Sequence, residues 1–499
     1  MTPIHDHIDR HAKERPDAPA LRDSNGITWD WAAYQDATLE AAELLESNGA
    51  GPGDRIMLVA ENCAAIAAVH FAASRIGAIT VPVNARMSGP ELERIAAHAS
   101  PRVTIYTTDA SPDAGKHGEA AGAKTLTTGF GTVMLATDPN ARREEASDVA
   151  LILYTTGTTG DPKGVMLTHG NLNFAGDASA TLRAMGPSER LYGALPLTHV
   201  FGMASMLTAG AVAGAEVELE ARFSPAKLLA ALQGGATILP AVPQMHAVLM
   251  AHTAEQGIDT LQDAPLRYVS SGAAPLDPAW KRKAEAFYGL PLQNGYGMTE
   301  STAGVCATQN AIGDPDTSVG PPLPGVEIRI DGPDAAGVGE IQTRGPHVMK
   351  GYYRAPDQTA ETLDADGWLS TGDLGQIDAQ SRLHVVGRKK ELIIRSGFNV
   401  YPPEVEAALN DHPNVVQSAV VGRMRNGNED VLAFVVPTAA GVDPRDLTDF
   451  TAATLSAYKR PTAIFVVDAL PAAATGKILK HKILTAFADK IAAHDAKTA

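Results

Sequence analysis

The stretch YTTGTTGDPKGVMLTHGNL, from Tyr154 to Leu172, holds four glycines, five threonines and one lysine. Small hydroxyls and glycines let side-chain O–H and backbone N–H groups converge on one anion, and Lys163 adds a charge, so the loop reads as a polyphosphate cradle. Thr155, Thr156, Gly157, Thr158, Thr159 and Lys163 are its candidate contacts. A Walker A loop needs Gly immediately before the Lys and Ser or Thr after it; Lys163 lies between Pro162 and Gly164, which disfavours a GTPase or P-loop kinase. Further along, NGYGMTES sets Tyr296 between Gly295 and Gly297, where a ring can lie against a flat ligand, and follows it with Thr299 and Glu300. An aromatic plate, a hydroxyl and a carboxylate suit adenine, phosphate and Mg2+ in turn. DGWLSTGDLG presents Asp373 in a tight turn, able to accept hydrogen bonds from ribose hydroxyls. GRKKELIIRSGFNVYPPEVE carries Arg388 at a change of texture, and PAAATGKILKHK places Lys477 in a turn near the C-terminus.

These residues need a scaffold, and the pattern from Ile27 to Val103 supplies one. Helix-like WDWAAYQDATLEAAELLESNG alternates with short apolar runs, DRIMLVAE and GAITVPVN, and the alternation resumes from Ala150 to about Gln293. That is α/β layering on a largely parallel sheet. Between Ser318 and His384 the pieces become short and β-rich (VEIRI, GEIQTRG, RLHVVG), predicting a small barrel-like or meander subdomain. After Gly387 the order strand, helix, strand, strand, helix, strand predicts a separate α+β domain. The expected division is therefore 1–387, with its β-rich part at about 318–387, and 388–499. Residues 109–124 are small and polar and read as surface loop.

At 499 residues more than one core is expected. A formal net charge of −16 argues against a general nucleic-acid surface and means that an anionic substrate must be met by local cations. The two cysteines, Cys63 and Cys306, cannot build a disulfide framework and read as buried small hydrophobes in a reducing compartment. The charged N-terminus lacks the apolar core of a signal peptide, and the uncharged run Leu191 to Ala215 is broken by Pro196, Thr198 and His199, so a cytoplasmic chain with no membrane span is expected.

Taken together and in order, these motifs resemble the adenylate-forming superfamily of acyl- and aryl-CoA synthetases, luciferases and nonribosomal-peptide adenylation domains, over nearly the whole chain. The resemblance implies a large N-terminal α/β domain, a small mobile α+β C-terminal domain, and ATP, Mg2+ and coenzyme A as partners of a small carboxylic acid. It places Thr155, Thr156, Thr158, Thr159 and Lys163 around the β- and γ-phosphates, Thr156 standing where Ser is more frequent. Ser271 to Pro275, with Gly272, Ala273 and Ala274, resembles the adenine-side loop, and Tyr296 with Gly297 resembles the plate that stacks on the base. Thr299 resembles the α-phosphate contact, Glu300 the Mg2+ ligand, and Asp373 and Arg388 the ribose pair. Lys477 resembles the lysine bridging the carboxylate and the α-phosphate, where a cation stabilises the in-line transition state. His199 in LPLTHVFG stands at the family's gate beside the carboxylate and is assigned to substrate positioning.

The implied reaction converts a carboxylate to acyl-AMP and pyrophosphate, after which coenzyme A takes the acyl group. By the same resemblance Lys390 is the hinge on which the small domain turns between the half-reactions, and Gly397 lies at the thiol tunnel. The acyl pocket is expected around Phe201, Val242, Met245, Gly272, Gly295 and Val305, all uncharged, which favours an uncharged acyl or aryl monocarboxylate. An amino-acid adenylation domain would need an acidic group near the TH of LPLTHVFG, and none is there. A malonyl-type ligase, a luciferase-like oxygenase and a silent nucleotide-binding homologue remain as alternatives.

Overall fold

The computed structural model describes residues 2–156, 162–273, 276–396, 398–425, 428–472 and 478–498. The chain divides into two units, Met1–Ile328 with Thr343–Leu369, and Arg329–Gln342 with Ser370–Ala499.

The first unit is built on two eight-stranded sheets. In one of them, Arg55–Ala60 and Ile79–Asn84 pair in parallel from Arg55 opposite Ile79 to Ala60 opposite Asn84. RIMLVA is buried at every position, as a strand covered on both faces must be. The crossover helix Ala64–Arg75 is rich in alanine and buried along almost its whole length. Helix Trp31–Ser47 starts where Asp30 accepts a hydrogen bond from Ala33 N, a side-chain N-cap. The segment expected to cradle phosphate enters this sheet as the antiparallel pair Val149–Thr156 and Pro162–Thr168, with Thr155 opposite Lys163.

The other sheet carries the rest of the site. Its central strands Arg190–Gly193, Ile238–Ala241, Tyr268–Ser271 and Leu292–Tyr296 are neighbours and run parallel, with antiparallel edges at Thr28–Asp30 and Cys306–Ala307. The segments that leave their carboxyl ends contain His199 and Phe201, then Val242 and Met245, then Gly272 and Ala273, then Thr299 and Glu300. Ligands of open parallel sheets bind outside such strand ends.

The second unit carries the four-stranded sheet Glu327–Asp331, Gly339–Arg344, Leu369–Ile377, Leu383–Arg388 in that order. The hairpin Ile393–Arg395 with Phe398–Val400 stands where the sequence predicts a single strand, and helix Pro402–Asn410, the antiparallel strands Val415–Arg425 and Asn428–Pro437, helix Pro444–Ala452 and strand Ala463–Val466 follow in the predicted order. Two further helices, Lys480–Ala486 and Ala488–Thr498, come after them.

Residues 109–124 depart from expectation: they contain the helix Pro112–Ala120. Ser111 caps it by accepting from Ala114 N, Pro112 supplies the fixed φ of a first turn, and Gly118 brings it so close to its sheet that an added Cβ would stand 2.8 Å from Met134 Sδ. Leu191 to Ala215 forms a strand end, a loop, and a buried helical run whose middle, Met203–Thr208, is a π-helix, an irregularity frequent at functional sites. Among the described residues, no helix is long and apolar enough to cross a membrane.

Candidate active site

Glu300 sits in the short 3-10 turn Thr299–Ser301 and is buried. Its Oε1 accepts a hydrogen bond from Tyr352 Oη at 2.9 Å, and its backbone carbonyl accepts from Met349 N at 2.9 Å. Thr302 follows in the left-handed region at φ 47 and turns the chain so that its hydroxyl reaches His347 O at 2.7 Å. A carboxylate held in place through one oxygen by a neutral hydroxyl, with the other oxygen taking no hydrogen bond among the described residues, fits the hard oxygen ligand that Mg2+ needs.

Lys163 leaves the strand Pro162–Thr168 with its Nζ 4.9 Å from the centroid of the Tyr352 ring. Thr155, on the partner strand, faces it in register. The side chain of Thr156 and residues Gly157, Thr158 and Thr159 lie outside the described residues, as do Ala274, Gly397 and Lys477.

Among the residues expected on the adenine side, Tyr296 is half-buried at the end of its strand and receives Val305 N on its carbonyl at 2.8 Å. Gly297 beside it has no room for a side chain, since a Cβ would stand 1.9 Å from Ala303 O. Gly272 and Ala273 follow Ser271, and Ala273 adopts φ 67, left-handed for a residue bearing Cβ. Val305 is fully buried. The Phe201 ring lies so close to Gly272 that an added Cβ there would be 3.0 Å from Phe201 Cε1. Val242 caps and Met245 belongs to the helix Pro243–Glu255, and both pack with Phe201 against the main core.

Gly295, expected to line the acyl pocket, sits in the strand Leu292–Tyr296. It is paired with Ala307, and an added Cβ would stand 3.1 Å from Cys306 O, so a side chain here would run against the edge strand. Asn294 beside it is buried, its amide donating to Ser318 O at 3.0 Å and its oxygen accepting from Gly295 N at 2.9 Å.

His199 is exposed at the start of the helical run, its Nδ1 accepting from Phe201 N at 3.3 Å. The loop that presents it is clamped by a residue sequence reasoning passed over. Asn62, buried, donates to Gly193 O at 3.1 Å and Leu195 O at 2.8 Å and accepts from Leu197 N at 2.8 Å, which satisfies both ends of its amide on one loop. Tyr352 was also passed over, although GYYR stands out as an aromatic pair after a glycine.

In the second unit Asp373 and Arg388 are opposed across antiparallel strands, Arg388 Nε lying 3.2 Å from Asp373 Oδ1. Asp373 is buried and Arg388 half-exposed. Lys390 is central in the 3-10 turn Lys389–Glu391. Its neighbours are both anchored: Lys389 Nζ lies 2.7 Å from Glu340 Oε2, whose other oxygen accepts from Gly372 N, and Glu391 is paired with Lys480 at 3.2 Å. Cys63 and Cys306 are buried free thiols, and burial pushes the Cys63 thiol up to about 11, away from nucleophilic use.

Parallel strands that deliver an aromatic plate, a buried carboxylate and an apolar wall to one edge, beside a hydroxyl-rich hairpin with a lysine, form the architecture of the adenylate-forming enzymes. The chain belongs to the AMP-binding enzyme family: that family's model matches residues 8–353, and the model of the AMP-binding enzyme C-terminal domain matches residues 404–477. A feruloyl-CoA synthase of an Amycolatopsis species is 34% identical over 492 residues, covering 96% of this chain and 98% of its own. The 4-coumarate–CoA ligase 5 of Oryza sativa subsp. japonica is 33% identical, covering 96% and 93%. The solved structure of the O-succinylbenzoate coenzyme A synthetase MenE of Bacillus subtilis, in complex with ATP and magnesium ion, superposes with a TM-score of 0.83 at 28% identity, covering 96% of this chain and 98% of that one. The protein is an AMP-forming acid–thiol ligase: a carboxylate and ATP give an acyl-adenylate and pyrophosphate, and coenzyme A then takes the acyl group and releases AMP. ATP, Mg2+ and coenzyme A are the partners of that reaction.

Proposed function

We propose that the acid is an uncharged monocarboxylate of the aryl kind, on the model of feruloyl and coumaroyl groups, with straight-chain acyl acids second. The observation that supports this is the apolar patch made by Phe201, whose ring packs on the bare backbone of Gly272, together with Val242 and Met245: an aromatic and aliphatic surface with no charged residue among these suits an uncharged ring better than a second anion. A second carboxylate would need a cation beside Tyr296, whereas Asn294 there has its amide committed to Ser318 and Gly295.

In this reading Thr155, Thr156, Thr158, Thr159 and Lys163 hold the β- and γ-phosphates, Tyr296 with residues 272–274 receives adenine, and Asp373 with Arg388 receives the ribose. Thr299 contacts the α-phosphate and Glu300 holds Mg2+. When bound, Mg2+ neutralises charge on the departing pyrophosphate. His199 and Asn62 fix the acid's carboxylate end, the first by contact and the second by holding the loop. Lys477 acts in adenylate formation only. Lys390 is the hinge between the half-reactions, with the functional boundary at residues 387–388, and Gly397 faces the thiol. The compartment is the cytoplasm, in keeping with two cysteines kept as free thiols. The test is a screen of aryl, straight-chain and dicarboxylic acids for pyrophosphate release with and without coenzyme A. Preference for dicarboxylates would overturn the substrate assignment.

A further inference from the structure

Tyr352 touches two oppositely charged groups with different parts of one side chain. Its hydroxyl donates to Glu300 Oε1 at 2.9 Å, and its ring faces Lys163 Nζ with 4.9 Å to the centroid. The ring face attracts an ammonium, and a phenolic O–H is a good donor to a carboxylate. We propose that Tyr352 is a positioning residue that keeps the Lys163 ammonium and the Glu300 carboxylate apart and aimed, so that the one is ready for phosphate and the other for Mg2+. This rests on the roles proposed above for those two residues.

The backbone around Tyr352 is fixed from several sides, as a positioning role requires. Gly351–Tyr352 pairs antiparallel with Pro162–Thr168, Tyr352 opposite Val165, and Tyr353 N donates to Gly164 O at 2.7 Å. Tyr352 N donates to Thr359 Oγ1 at 2.9 Å. Gly351 has φ 143, and a Cβ there would stand 2.8 Å from Thr359 Cγ2, so only glycine lets the strap approach the helix Pro356–Thr362 this closely. Just upstream, Asn171 Nδ2 donates to Pro346 O at 2.8 Å and Val348 O at 2.9 Å, and Met349 N reaches the Glu300 carbonyl. The strap therefore ties the strand bearing Lys163 to the turn bearing Glu300, with Tyr352 as the side chain that reaches both. Without that hydroxyl and ring, the buried carboxylate and the nearby ammonium would be drawn to each other, and MgATP would have to separate them first.

The experiment is calorimetric binding of ATP, with no acid present, across a Mg2+ titration. Tyr352→Phe keeps the ring over Lys163 and removes only the hydroxyl. It is expected to leave ATP affinity without Mg2+ within about twofold and to raise the Mg2+ concentration for half-maximal binding about tenfold, the usual effect of losing a hydrogen bond to a charged group. Tyr352→Leu is expected to weaken ATP binding without Mg2+ as well. In a Glu300→Gln background, Tyr352→Phe is expected to add nothing to the Mg2+ dependence. An unchanged Mg2+ dependence in Tyr352→Phe, or an equal loss with and without Mg2+, overturns the positioning role. If Glu300→Gln itself leaves the Mg2+ dependence unchanged, the site reading fails as well, and the two failures are told apart by that arm.

Discussion

Arg388 Nε stands 3.2 Å from Asp373 Oδ1, the two residues being direct cross-strand partners although fifteen positions separate them. Because Arg388 is half-exposed, the pair contributes little to folding, under about 1 kcal/mol, and its value is geometric: a buried carboxylate and a guanidinium are presented side by side. Asp373→Asn keeps the shape and loses the acceptor strength. It is expected to raise KM for ATP about tenfold in acid-dependent ATP–pyrophosphate exchange, with the melting temperature nearly unmoved. A wild-type KM would remove Asp373 from the ribose.

Acid lability is expected from the buried histidines. Burial holds His246 down to about 4, and it lies fully inside, its Nδ1 2.9 Å from Tyr288 Oη and its Nε2 3.2 Å from Ser270 O. His347 is likewise lowered to about 4 by burial, and His70 to about 3. A histidine whose folded value is depressed binds its proton in the unfolded chain first, so its contribution is fully present above about pH 6.5 and is lost as pH falls toward 4. For His246 the loss between pH 7 and pH 5 is about 2 kcal/mol. Glu406, raised by burial, works in the opposite sense, so the comparison must be with a variant. His246→Gln should flatten the fall in unfolding free energy over that interval. An unchanged slope would mean that His246 is protonated in the fold.

The contrast between what the chain reveals linearly and what it does not follows from how each contact is made. The roles proposed for Thr155 to Lys163 and for Tyr296 to Glu300 could be read from the chain because each set lies in one short segment whose residue types suggest the chemistry, whereas the hinge role of Lys390 rests on the family resemblance. The parallel strands were legible from runs such as RIMLVA, buried at every position. Tyr352 and Asn62 were not, because their meaning lies in pairing at a distance: 52 positions separate Tyr352 from Glu300, and 133 separate Asn62 from Leu195. The direction of Gly295 depends on its register with a two-residue edge strand that carries no pattern of its own. The helix Pro112–Ala120 was hidden because a cap and a close glycine contact make it, with little apolar periodicity to announce it.

The two half-reactions are expected to separate by mutation. Lys477→Ala should abolish adenylate formation, at a cost of about 3 kcal/mol or more, while thioester formation from supplied acyl-AMP continues. Lys390→Pro should do the reverse, since a fixed φ in the Lys389–Glu391 turn hinders rotation and leaves the first step intact. Rates of acyl-AMP formation and of its consumption by coenzyme A, measured separately, decide this. Parallel losses in both steps for both variants would sink the hinge assignment.

Specificity should respond to Gly272 and Gly295 in different ways, because the structure turns them toward different neighbours. A Cβ at Gly272 stands 3.0 Å from Phe201 Cε1 and 3.3 Å from Cζ, so Gly272→Ala must push a ring that walls the proposed acid slot. In the proposed reading the ring yields toward the acid, a form of overpacking that costs about 1–3 kcal/mol when a bulky group has to share the space. Aryl acids should therefore lose about ten- to a hundredfold in kcat/KM, while acetate and propionate, which do not reach the ring, lose little. A Cβ at Gly295 instead stands 3.1 Å from Cys306 O, a backbone atom of the edge strand. Gly295→Ala should shift that strand together with Tyr296, and lower kcat/KM by a similar factor for every acid with a matching rise in KM for ATP. The measurement is kcat/KM over a series of straight-chain and aryl acids for both variants. If Gly272→Ala slows all acids alike while Gly295→Ala discriminates by size, the acid lies against the edge strand and the slot beside Phe201 is not its site.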